Sequence, residues 1–132
     1  MGQIKRLSVN DVRRITGVSA KQCKKVTWHT SNLTIRRIIT PSEYIDTIDH
    51  IVQDCVSNDG KIATDFLDFA FRVNIISTYA YVELPNDLSE LHLIIYASDL
   101  FETIYKYASS SQIDSILSSA RMRLLMCGGY HE

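Results

Sequence analysis

Phe66–Asp87, FLDFAFRVNIISTYAYVELPND, is the stretch that decides the fold: it carries charge only at Asp68 and Arg72 before Glu83 and breaks at Pro85. A helix that is apolar around most of its circumference has to be surrounded by other elements, so this run is expected to be the central post of the domain. The spacing predicts a helix over 64–82, with Asp65, Asp68 and Arg72 as its one narrow polar strip. Helices around Ile48 and Ile116 are expected to pack against it. Such a run explains a core and offers no chemistry of its own.

Upstream, Thr40-Pro41-Ser42-Glu43 is a strong helix start. The threonine caps, the proline takes a first-turn position where its missing N–H costs nothing, and the glutamate closes the capping box. Tyr44, Ile45, Ile48, Ile51, Val52, Cys55 and Val56 then recur at spacings of three and four, and Asn58-Asp59-Gly60 supplies a turn. Nearer the N-terminus, Ser8 with Asp11 caps a short helix whose Val9, Val12 and Ile15 share a face, ended by Gly17. Lys25–Thr30 and Leu33–Ile39 alternate as strands, with Ser31-Asn32 as the turn between them. Downstream, Leu88–Tyr96 and Asp99–Tyr107 read as a helix pair or one bent helix. A last helix turns Ile113, Ile116, Leu117, Ala120, Leu124 and Leu125 inward before Gly128-Gly129 stops it. The expectation is one α+β domain over 1–132, predominantly helical, with an N-terminal β-hairpin packed on a helix bundle.

A chain of 132 residues can build a core without disulfides or metal. Three dispersed cysteines, Cys23, Cys55 and Cys127, argue against a disulfide framework and for a reducing compartment. No stretch reaches the ~20 apolar residues that span a bilayer, and MGQIKRLSVN lacks the apolar segment of a secretory signal, so a cytoplasmic location and no membrane partner are expected.

Charge is distributed unevenly. Residues 1–40 hold nine Lys and Arg against Asp11, a balance of +8, whereas residues 41–132 balance at −9. The domain thus divides into a basic helix-plus-hairpin segment (1–40) and an acidic helical part (41–132). Asymmetry of this kind points to an acidic partner for the N-terminal part, either a protein, a second copy of the chain or nucleic acid. The alternative is neutralisation within the fold.

Motifs for chemistry are scarce. The five glycines form neither a GxGxxG nor a Walker loop, and no CxxC is present. Asp46, His50 and Asp54 stand four apart on one helix face, the spacing of ligands from successive turns, although an ordinary polar face has the same pattern. No metal, cofactor or catalytic residue is expected, and the chain reads as a non-enzyme. Residues 11–23 resemble a helix-turn-helix in their glycine, valine–serine turn and apolar Cys23, and their basic character suits a phosphate backbone. Against this, Arg13 occupies a position where close helix packing wants a small residue.

Asp68-Phe69-Ala70, Tyr79-Ala80 and Leu84-Pro85-Asn86-Asp87 together resemble a family of small proteins encoded by phages and prophages of Gram-positive bacteria. The likeness extends from Val26-Thr27-Trp28 through Ile51-Val52-Gln53-Asp54-Cys55 to Ile94-Ile95-Tyr96-Ala97-Ser98-Asp99. It implies a protein acting by protein–protein contact in virion assembly, at the tail or the head. Two alternatives are an inhibitor of a host defence complex, whose acidic face imitates nucleic-acid phosphates, and a helix-turn-helix regulator. The residues expected to meet a partner are Arg13, Arg14, Lys21, Lys24, Lys25, Arg36 and Arg37 at the basic end and Asp46, Asp49 and Asp54 on the acidic face.

Overall fold

A computed structural model describes the backbone of residues 6–16 and 23–128 and the side chains of 6–12 and 23–127. The elements run α1 (Val9–Thr16), β1 (Cys23–Trp28), β2 (Ser31–Arg36), α2 (Pro41–Asp54), a 3-10 turn (Thr64–Phe66), α3 (Leu67–Tyr79), α4 (Leu88–Ala97), α5 (Leu100–Tyr107) and α6 (Ser110–Gly128). The chain is thus an α+β domain, mostly helical, with the hairpin laid on the helices.

The cap signals are realised in the fold. Ser8 Oγ accepts from the Asp11 N–H at 3.0 Å while Asp11 accepts from the Ser8 N–H at 3.3 Å, which opens α1. Thr40 and Glu43 form the reciprocal box that opens α2. Asp87 caps α4 by accepting from the Glu90 N–H at 3.0 Å. Gly60 closes the turn after α2 at φ +81°, a conformation that L side chains seldom adopt.

The central post is shorter than the sequence suggests. It begins as a single 3-10 turn and is α-helical only over Leu67–Tyr79. Ala80 turns extended and bridges to Ile35, and the Tyr81 N–H donates to the Thr34 carbonyl at 3.1 Å. The chain leaves the helix there because the outer edge of β2 offers unpaired backbone groups, and the next two residues cover them. Leu67, Phe69, Ala70, Phe71, Ile75, Ile76 and Tyr79 are buried, as a central helix requires. Its main neighbours are α2 and α5, and α6 packs chiefly on α2. The helix that carries Ile48 therefore packs on the central post as expected, and the helix that carries Ile116 also touches it, though it lies mainly against α2.

The hairpin turn also differs from expectation. Cys23 pairs with Arg36 and Trp28 with Ser31, so the turn is His29-Thr30 and Ser31-Asn32 belongs to β2. His29 takes φ 57°, a left-handed conformation in which histidine is one of the better-tolerated residues. In this register Val26, Leu33 and Ile35 lie buried against the helices, while Lys25 and Thr27 face outward. Among the described residues β1 is hydrogen-bonded only to β2, and Lys24 and Lys25 on that edge discourage pairing with foreign strands.

Three apolar positions expected inside lie outside. Ile45, Val56 and Leu125 are 56%, 38% and 65% exposed: Ile45 and Leu125 fall off the arc by which their helices touch the core, and Val56 lies beyond the end of α2, where it bridges to Ile62. A half-buried glutamine locks the layers together. Gln112 Oε1 accepts from the Ile39 N–H at 2.9 Å and from the Tyr79 hydroxyl at 2.5 Å, and its Nε2 donates to the Ile39 carbonyl at 3.1 Å. One side chain on α6 thereby ties the strand exit to the end of α3.

Candidate functional site

The hairpin exit and the α5–α6 junction meet at a cationic hollow of about 510 Å³ lined by Cys23, Lys24, Arg37, Lys106 and Tyr107. The register explains Lys24: it pairs with Ile35 and so belongs to the inward face of β1, but at the sheet margin its ammonium rises past the core. There it lies 4.9 Å from the centre of the Tyr107 ring, with the Lys106 ammonium 5.3 Å from the same ring. Both lie within cation–π range. The Arg37 carbonyl accepts from the Ser109 N–H at 2.7 Å, which fixes this segment beside α6. Three basic side chains, Lys24, Arg37 and Lys106, thus converge on the hollow.

Sequence reading found only part of this cluster. Lys24 and Arg37 come from the basic segment, but Lys106 lies deep in the acidic part, and only the packing of α5 against the hairpin brings it there. Of the other expected basic residues, Lys25 is exposed on the opposite face of β1. Arg13 and Arg14 lie in α1 with side chains outside the described residues, as does the whole of Lys21. Arg36 is already engaged. Its guanidinium grips Glu43 with both arms, Nη2 to Oε1 at 2.8 Å, and its side chain is only 18% exposed. That grip, with the Thr40 N–H, holds the Glu43 carboxyl down at about 2. Neutralisation within the fold thus claims Arg36 rather than a partner.

The acidic face is likewise partly spent. Asp49 is ion-paired with Arg123 on α6, and Asp54 accepts from Asn74 Nδ2 at 2.9 Å. Asp46 remains exposed and shares a hollow of about 340 Å³ with His50, Ser77 and the Arg36–Glu43 pair. Asp46, His50 and Ser77 are not hydrogen-bonded to one another, so they do not form an assembled nucleophile–base relay. Among the described residues no three His, Cys, Asp or Glu side chains converge as metal ligands, so the Asp46, His50, Asp54 spacing does not become a coordination shell.

The helix-turn-helix expectation fails on Cys23. That residue opens β1 and is exposed, where the motif needs an apolar contact on a second helix. Residues 17–22, which the motif also needs, lie outside the described residues. Among the described residues no helix is long and apolar enough to cross a membrane. Comparison of the chain with protein-family models, with curated proteins and with solved structures finds no match.

Proposed function

We propose that this chain is a non-enzymatic, phage-encoded protein that acts through protein–protein contact, as an accessory to assembly of the virion tail or head. The phage and assembly part of the reading rests on the sequence resemblance. The contact part rests on one observation, the convergence of Lys24, Arg37 and Lys106 beside Tyr107 in one hollow. An acidic protein surface offers carboxylates to such a cluster, and a carboxylate entering the hollow exchanges water for charge-assisted hydrogen bonds. Aromatic and basic groups together are also what protein interfaces favour. The defence-inhibitor alternative has less support, because Asp49 and Asp54 are turned to partners inside the fold.

The test is affinity capture from phage-infected cells with wild type and with a Lys24→Glu/Arg37→Glu/Lys106→Glu variant, the captured proteins being identified by mass spectrometry. Wild type is expected to retain a virion structural protein and the variant to lose it at unchanged thermal stability. Equal capture by both would refute the assignment of the hollow. Displacement of the captured protein by random-sequence duplex DNA would instead move the reading towards nucleic acid.

A further inference from the structure

On the other side of α3 the surface carries a groove of about 560 Å³ between the 3-10 turn with the start of α3 and the last turns of α6. Leu67 and Leu124 form its buried floor, and Leu117 and Leu125 line the α6 wall, Leu125 being 65% exposed. The charged groups of the rim differ in their engagement. Asp68 is held by Arg72 and Tyr96, whereas Asp65 and Arg121 form no ion pair among the described residues. An occupant that suits the groove has a large apolar body, a donor for a carboxylate and an anion for a guanidinium.

The sequence that follows directly on α6 has this chemistry. We propose that residues 128–132, Gly128-Gly129-Tyr130-His131-Glu132, fold back along α6 into the groove, with the Tyr130 ring on Leu124 and Leu125 and the Glu132 carboxylate on Arg121. Helix α6 runs to Gly128 and so delivers this segment at the mouth of the groove. Glycine just past a helix takes the left-handed conformation that reverses the chain, and the apolar residue after it then packs on the last turns. With Gly129 in that place, Tyr130 is the residue laid over Leu124 or Leu125. Reach is sufficient. Arg121 lies seven residues back from Gly128, about 10 Å along the helix, and four extended residues span about 13 Å. Alternate side chains of an extended segment share a face, so Tyr130 and Glu132 enter together while His131 faces water. The Tyr130 hydroxyl then donates to Asp65, as Tyr96 donates to Asp68 and Tyr105 to Asp114 elsewhere in the fold. This inference goes beyond the partner contact at Lys24, Arg37 and Lys106 and uses none of those residues.

The experiment is nuclear magnetic resonance on the full chain, reading Overhauser contacts of the Tyr130 ring in wild type and in three variants. Wild type is expected to show contacts from that ring to the methyls of Leu124 and Leu125, with upfield ring-current shifts of the same methyls. Gly129→Val keeps the tyrosine but disfavours the left-handed turn, so both signals should be lost. Arg121→Glu should weaken them, and the charge swap Arg121→Glu/Glu132→Arg should restore them. All three variants change residues outside the core, and the dispersion of the core methyl signals checks that each is folded. Mixing two differently labelled copies separates contacts within one chain from contacts between chains. The Lys24→Glu/Arg37→Glu/Lys106→Glu variant should keep the Tyr130 contacts, so failure here is separable from failure of the partner reading. A Tyr130 ring without contact to either leucine, contacts that survive Gly129→Val, no recovery in the charge swap, or contacts only between copies would each overturn the proposal.

Discussion

Replacing Gln112 with alanine tests how the hairpin is held on the helices. The side chain makes three hydrogen bonds, to the Ile39 N–H, the Ile39 carbonyl and the Tyr79 hydroxyl. Ile39 is 3% exposed and Tyr79 is fully buried, so water cannot easily replace what is removed. Each buried group left without a partner costs about 1 kcal/mol or more, so Gln112→Ala should destabilise the fold by about 3 kcal/mol. Tyr79→Phe removes only one member of the network and leaves Gln112 Oε1 still bonded to Ile39, so it should cost about 1 kcal/mol. The two share one oxygen, and the double variant should therefore cost less than the sum of the singles. Urea denaturation followed through Trp28, the single tryptophan, reports on the hairpin directly. A loss below about 1 kcal/mol for Gln112→Ala, or full additivity in the double variant, would refute the idea that this glutamine joins the layers.

Glu43, held at about 2 by Arg36 and Thr40, stabilises the fold when ionised. Because its folded value is depressed, that stabilisation is complete above the ordinary glutamate value near 4.5 and disappears as pH falls towards 2. Glu43→Gln should flatten this acid limb by about 1 kcal/mol, a figure discounted for the partial exposure of the pair, as acid titration of the denaturation midpoint will show. The Trp28 indole donates to Asp99 Oδ1 at 2.8 Å, so Asp99→Ala should shift the tryptophan emission without unfolding the helices; an unchanged spectrum would show that the contact does not form. Ile76→Ala empties a fully buried site in α3 and should cost ~3 kcal/mol in urea denaturation, whereas a surface helix would lose under ~1 kcal/mol.

The parts legible in the sequence are those that local chemistry dictates. Thr40 with Glu43 and Ser8 with Asp11 announce their helix starts because a cap is satisfied within four residues. The break at Ser98-Asp99 makes two helices of the segment read as a helix pair or one bent helix, and the apolar run of α3 gives the post. What escaped depends on neighbours far along the chain. Ala80 has nothing local to stop a helix; it turns extended because β2 lies beside it. Ser31-Asn32 has turn composition, but the register set by Val26 against Leu33 places the turn at His29. The cationic hollow was half visible, since Lys24 and Arg37 belong to an evident basic segment. Lys106 carries no sequence signal linking it to them, only the packing of α5. Arg36 and Asp49, equally charged on paper, are consumed by Glu43 and Arg123, and pairing of that kind is a property of the fold.

Zero-length carbodiimide coupling in phage-infected cells tests the central claim most directly, because it joins an amine only to a carboxylate in direct contact. If Lys24, Arg37 and Lys106 form the docking site for an acidic protein surface, cross-links should run from Lys24 and Lys106 to aspartates or glutamates of one virion structural protein. They should also fade as salt rises above ~0.15 M, where the screening length falls to about 8 Å. Cross-links that bypass both lysines and run instead from Asp46 or other carboxylates of this chain to lysines of a partner would contradict the account.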